Sequence, residues 1–305
     1  MGNNLYWNVY KSLERELLSL AEVIHIDDGQ LDVYSMKIAD LLIRTSVEIE
    51  AISKELYFRE GGTKPDDKNL FFDTDCLDLL ESKWSLSKKI VMISSPVFYF
   101  KENYNLYLTP LHKASNRGTN SSDWQKAYQA VKHNRVKSLK KGNLKHFIRS
   151  LGALFILNIY YQNQSFNLGA NNSENLFDAN IGSSIFSIIL YPFQGIDASG
   201  IYKKNEDLEK CVYIIQATNE TKEPVRKALE DLDDKILNKA ISEMQNELSQ
   251  ITESLKADVL QEKIINSIKR HKEECTIAVA KENAAMLSKV FGAIRYEVVL
   301  NINQY

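Results

Sequence analysis

Cysteine is scarce: Cys76, Cys211 and Cys275 are far apart, odd in number and form no C-x-x-C pair. Neither a disulfide framework nor a zinc knuckle is supported, and a reducing cytoplasm is the expected compartment. Long apolar runs are missing too. Those near Leu151 and Ile185 fall well short of the roughly 20 residues that a membrane span needs. Lys11, Glu14, Arg15 and Glu16 interrupt the first helical segment, so no secretory signal is expected. Position 6 is Tyr6, where a myristoylation signal wants Ser or Thr. Familiar chemistry is equally thin. Gly61-Gly62-Thr63-Lys64 lacks P-loop spacing, and no G-x-G-x-x-G follows a strand. Neither G-x-S-x-G nor H-E-x-x-H occurs. His25, His112, His133, His146 and His271 are not at metal-ligand spacing in sequence, so no metal or other cofactor is expected. A net charge of -2 and a pI near 6.3 give no global attraction for nucleic acid or an anionic membrane. Any such affinity must be local.

One stretch is strongly biased. Between Trp124 and Ser173 there is no acidic residue, while Lys126, Lys132, Arg135, Lys137, Lys140, Lys141, Lys145 and Arg149 are all cationic. Ser122-Asp123-Trp124-Gln125 reads as a capping box that starts a helix. At helical pitch Trp124, Tyr128, Val131 and Arg135 share a side, Lys132 sits beside Tyr128, and His133 points away. Gly142-Asn143 supplies a stop and a new cap. The next helix carries Leu144, Phe147, Ile148 and Leu151, then turns apolar all round from Leu151 to Leu157, as a buried helix does. A basic collar thus leads into a core helix.

In chain order, Tyr6 to Val23 is predicted helical and ends before the turn Asp27-Asp28-Gly29. Leu31, Tyr34, Ile38, Leu41, Thr45, Ile49, Ile52 and Leu56 define a second helix, ended by Gly61-Gly62 and Pro65. On its flank Asp40, Arg44 and Glu48 form an i,i+4 ladder, as do Glu50 and Lys54. A short helix spans Cys76 to Trp84, with Asp75 and Asp78 suited to its positive N-terminal end. Short strands are expected at Ile90–Ile93, Val97–Phe100 and Asn105–Leu108, and a loop at Thr109–Asn120. Residues Gln162 to Asn180 read as a long polar loop. Ile185–Tyr191 and Cys211–Ile215 read as strands of one sheet, joined through Gly195 to Glu209. Thr221 to about Ile268 is predicted as one helix. Its Leu237, Ile241, Met244, Leu248, Ile251 and Leu255 form a short coiled-coil-like seam. Thr276–Phe291 is another helix, and Tyr296–Ile302 alternates as a final strand.

The collar invites a specific chemistry. Lys132, His133 and Arg135 beside Tyr128 are candidates to bind and polarise a phosphate, an imidazole being the side chain suited to carry a proton there. Trp124 and Tyr128 are candidates to stack a base, with Lys126, Lys137 and Lys141 adding phosphate contacts. Arg44 and Glu48 are candidates to face the collar, partly buried. The competing expectation makes Trp124 and Tyr128 core anchors and pairs the cations with Asp40 and Glu48.

Trp124, Tyr128, Val131, Lys132, His133 and Arg135 spell W-x-x-x-Y-x-x-V-K-H-x-R. With the apolar helix after it and the early helix from Ser35 to Leu56, the first half of the chain resembles a loosely defined group of uncharacterised bacterial helical proteins. That group is similar in turn to the HEPN superfamily, helical domains of toxin–antitoxin and phage-defence systems, many of them metal-independent ribonucleases. The resemblance implies RNA cleavage. Its Arg-then-His pattern is absent, however, because no Arg here precedes a His by the required interval. His133-Asn134-Arg135 offers the same residue types in another order, so ribonuclease activity is not carried over from the resemblance.

The sequence therefore predicts an α+β, predominantly helical fold: a helical core, a small antiparallel sheet and a long C-terminal helix. Residues 1–165 would carry the collar, and 180–305 the sheet and C-terminal helices, in one or two domains. The expected function is binding of RNA or another phosphate-bearing ligand. The alternative is a non-enzymatic interaction module, a homodimer formed through the C-terminal helix.

Overall fold

The computed structural model describes residues 5–66, 69–194, 206–249 and 257–302. α1 (Leu5–Ala21) buries Tyr10, Leu13, Leu17 and Leu20. α2 (Met36–Arg59) starts where Ser35 Oγ accepts the Ile38 amide at 3.1 Å, and it buries Ile38, Leu41, Ile49, Ile52 and Leu56. Leu31 and Tyr34 therefore precede the helix. An irregular turn at Phe72–Leu77 leads into α3 (Asp78–Trp84). Asp75 accepts the Phe71 amide at 2.8 Å at the start of that turn, and the N-terminus of α3 itself has no side-chain cap.

The next part corrects the expected strands. β1 (Val91–Ile93) forms, but 97–100 does not: Phe98 makes only an isolated bridge to Ile26. Residues 105–108 divide between one helical turn, α4 (Asn103–Leu106), and the two-residue β2 (Tyr107–Leu108). α5 (Asp123–His133), the single turn α6 (Arg135–Ser138) and α7 (Leu144–Gln162) follow. α7 is sheathed on nearly all sides and buries fourteen of its nineteen residues. α1, α2 and α5 pack around it. Its first amides, on Leu144 and Lys145, donate to Val33 and Leu31 carbonyls at 3.0 and 2.9 Å. At its other end Arg59 holds the Tyr160 and Tyr161 carbonyls, each at 2.7 Å. Both ends of the core helix are thus satisfied by α2 and its approach, as buried helix ends require.

The predicted polar loop at 162–180 contains a strand, β3 (Phe166–Gly169). The single strand expected over 185–191 is two: β4 (Phe186–Ile188) and β5 (Leu190–Tyr191). They serve different sheets. One has the order β2-β1-β4 and is antiparallel. After α8 (Glu206–Lys210) comes β6 (Tyr213–Ala217). The second sheet, β3-β7-β6-β5, is closed by β7 (Tyr296–Leu300). Its β5–β6 pair is parallel, so the expected single antiparallel sheet becomes two sheets, one of them mixed. The main apolar core runs from Tyr10 to Leu300 and draws on both halves of the chain. The connection through Gly195 lies largely outside the described residues.

The expected single helix from Thr221 is a hairpin. α9 (Asn219–Ser249) and α10 (Ala257–Glu282) pack on each other, and α11 (Ala284–Gly292) leads into β7. Lys235 meets Asn283 while Glu247 meets Arg270, so the two helices run antiparallel. The buried seam is Ile236, Ala240, Cys275 and Val279, with Leu232 packed on it. Leu237 is 37 % exposed. Of the expected seam, Met244 is buried and Ile241 partly so, while Ile236 and Ala240 take the place expected of Leu237, and α9 packs on α10 of the same chain. Side chains of Leu248, Ile251 and Leu255 lie outside the described residues. No described helix is long and apolar enough to cross a membrane.

Candidate functional site

α5 is fixed to the loop before it. Ser122 and Gln125 form the predicted capping box, with Ser122 N donating to Gln125 Oε1 at 3.0 Å. The Trp124 indole donates to Pro110 O, and Gln125 Nε2 to Ala114 O, each at 2.8 Å. Residues 109–120 are thereby tied down, with a cleft on either side of the start of α5. The approach of α2 is equally close. A Cβ on Gly142 would lie 2.6 Å from Ala39 Cβ, so only glycine lets the collar's last turn pass α2.

The first cleft holds about 600 Å³. Lys113, Lys126 and Arg149 bring positive charge to it, His112 borders it, and Tyr104 and Tyr107 form part of its wall. Those tyrosines are 64 % and 46 % exposed. Asp123 is the acidic residue of its lining, and its carboxylate is paired with Lys126 at 2.8 Å. The hydrogen bond from Lys126 holds Asp123 below the usual carboxylate range. The second cleft, of about 580 Å³, is lined by Arg117, Lys126, His133 and Lys141 opposite Asp73. Arg117 lies over the Phe71 ring at 3.7 Å, with its Nε 3.7 Å from Asp73. Lys126 borders both clefts.

The structure sorts the residues singled out from the sequence. Lys126, His133 and Lys141 meet in the second cleft. Lys132 and Arg135 line neither of these clefts. Lys132 Nζ donates to Tyr128 Oη at 3.0 Å, and Arg135 pairs with Asp40 of α2 at 2.8 Å. Lys137 is exposed and also outside both. Trp124 and Tyr128 are 1 % and 0 % exposed, so they anchor the core and have no free face on which to stack a base. Arg44 is exposed, and Glu48 is half-buried, its carboxyl raised by burial against the pull of Arg44. The Tyr128 hydroxyl is likewise raised, first by burial and further by Glu50.

Burial also acts on the two basic groups beneath the collar. It lowers Arg149, and it lowers His146, whose Nδ1 donates to the Lys141 carbonyl at 2.7 Å. In the sequence Arg117, His112 and Lys113 fall in the expected loop Thr109–Asn120 and Tyr107 in the expected strand Asn105–Leu108, while Tyr104 belongs to neither. A signal was present: cations and aromatics immediately before a helix that opens an acid-free stretch. No protein-family model, curated protein or solved structure matches the chain.

Proposed function

We propose that the protein binds single-stranded RNA through the collar clefts. The observation that carries this is the first cleft, where Lys113, Lys126 and Arg149 stand beside two exposed tyrosines, Tyr104 and Tyr107. Cations that track a phosphodiester backbone, interleaved with open aromatic faces for unpaired bases, are what single-strand binding requires. A base lies flat on a tyrosine only when unstacked, which a duplex does not offer.

RNA cleavage is the enzymatic extension, in keeping with the defence-associated ribonucleases that the sequence resembles. His133 is its candidate, since it borders the second cleft with Arg117, Lys126 and Lys141. Imidazole is the natural proton carrier near neutral pH, and guanidinium and ammonium groups can stabilise charge on a phosphate. Lys132 and Arg135, which line neither cleft, drop out of that role.

The test is fluorescence anisotropy with a labelled single-stranded RNA at low salt. Saturable binding at micromolar protein or below is expected, and it should weaken in Lys126→Ala. Cleavage, if it accompanies binding, should vanish in His133→Ala while most affinity remains. An RNA that stays free at micromolar protein ends this reading.

A further inference from the structure

On the α9–α10 hairpin a histidine is enclosed by carboxylates. His271 of α10 has 13 % of its side chain exposed. Its Nε2 lies 2.8 Å from Glu247 Oε2, which also accepts from Ser267 Oγ at 2.7 Å and an Arg270 Nη at 2.6 Å. A carboxylate oxygen accepts in each of these contacts, so Nε2 is the donor in the 2.8 Å one.

Nδ1 is the ring nitrogen that remains. Nδ1 is sealed from solvent and has no hydrogen-bond partner among the described residues. It faces Glu274 Oε2 at 3.4 Å and Glu243 Oε2 at 3.5 Å, and the three atoms lie within 4.8 Å of one another. Two carboxylate oxygens converging on Nδ1 call for positive charge among them, which a proton on the ring or a bound metal ion supplies. The neighbouring cations are committed elsewhere, Lys239 to Glu282 and Arg270 to Glu247. Ligands at about 2.0–2.2 Å from a tetrahedral zinc ion are about 3.3–3.6 Å apart, which matches both separations from Nδ1.

We propose that Glu243, His271 and Glu274 form a binding site for a divalent transition-metal ion of the zinc class. One imidazole nitrogen with two carboxylate oxygens favours such ions over calcium or magnesium. Glu247 holds the far side of the imidazole, as carboxylates commonly do behind metal-bound histidines. Cys275, one turn beyond His271, donates its S–H to Glu243 Oε2 at 3.2 Å and steadies that ligand. Three protein ligands leave a fourth position for water or another ligand. Because Glu243 is on α9 and the other two are on α10, the ion would tie the hairpin together.

The full-length protein, stripped with a chelator, is titrated with Zn²⁺ by calorimetry and with Co²⁺ by visible absorption, folding being followed by circular dichroism. One saturable ion per chain and a raised thermal midpoint are expected. His271→Ala should abolish binding, and Glu247→Gln, which keeps all three ligands, should weaken it on the order of 10–100-fold. Should His271→Ala fail to fold, Glu274→Gln decides, since that side chain is 60 % exposed and removes only a ligand. No saturable Zn²⁺ binding at micromolar protein overturns the proposal. So does binding that persists in Glu274→Gln, or cobalt–sulfur charge-transfer bands, which would assign the ion to Cys275.

Discussion

Trp124 and His146 both belong to the collar by sequence, and their surroundings give each a different task. Trp124 is closed in by the core and by its bond to Pro110 O. Its replacement by Ala should cost about 3–5 kcal/mol, read from urea unfolding, through lost burial and a cavity. A loss below about 1 kcal/mol would contradict the packing found here, because that is the scale of an exposed surface site. His146 offers a pH test. Burial is the largest influence on it, assisted by Lys145 and Arg149, and it lowers the folded-state value below the usual 6.5. Between the two values the unfolded chain binds more protons, so stability rises with pH in that window. Conversely, stability should fall as pH drops through 6.5, and the fall should end once pH passes below the folded value. Comparing the unfolding free energy of His146→Gln with that of the parent across this range isolates the effect, and parallel curves would refute it. Nothing in the sequence distinguishes His146 from His133. Only the packing around α7 makes one half-buried and leaves the other at a cleft.

Among the elements, legibility followed the range of the interactions that define them. The cap at Ser122, the periodicity of α2 and the apolar surround of α7 are local features, and all were readable. Of the strands, β1, β6 and β7 were readable as short apolar runs, but β2 and β5 were not delimited, because they are two residues long and are specified by partners far away, Val91 for Leu108 and Tyr213 for Leu190. Likewise the α9–α10 hairpin is set by a partner helix, which buries Ile236 and Ala240 along with the expected Met244. The ligand set Glu243, His271 and Glu274 was hidden for the same reason: its members come together only once α10 folds back. Ile236 and Leu237 are separable by mutation. Ile236→Asp places a carboxylate at a position that is 5 % exposed and should open the hairpin, lowering the thermal midpoint by several degrees. Leu237→Asp, at the more exposed neighbouring position, should be nearly neutral. The reverse ranking would restore the seam read from the sequence.

At the scale of the whole molecule, a net charge of -2 means that long-range attraction for RNA is weak. Affinity must therefore arise from the few cations that reach phosphates, and this makes its salt dependence diagnostic. Each phosphate neutralised on a single strand contributes about 0.7 to the slope of log affinity against log salt. Lys113 and Lys126 line the first cleft, whereas Lys132 and Arg135 lie outside it. Both pairs lie within the same loop-and-collar region, and both double alanine variants change the net charge equally. A general electrostatic attraction would thus weaken alike in the two. Cleft binding predicts a difference: Lys113→Ala/Lys126→Ala should reduce the slope by about 1.4, and Lys132→Ala/Arg135→Ala should leave it nearly unchanged. Tyr104→Ala should act in another way, lowering affinity by about 1–3 kcal/mol at every salt concentration, since stacking releases no counterions. Anisotropy titrations at several salt concentrations measure all three. Equal slopes for the two lysine and arginine pairs would move the site out of the first cleft, and a Tyr104→Ala effect that disappears at high salt would remove stacking from the account.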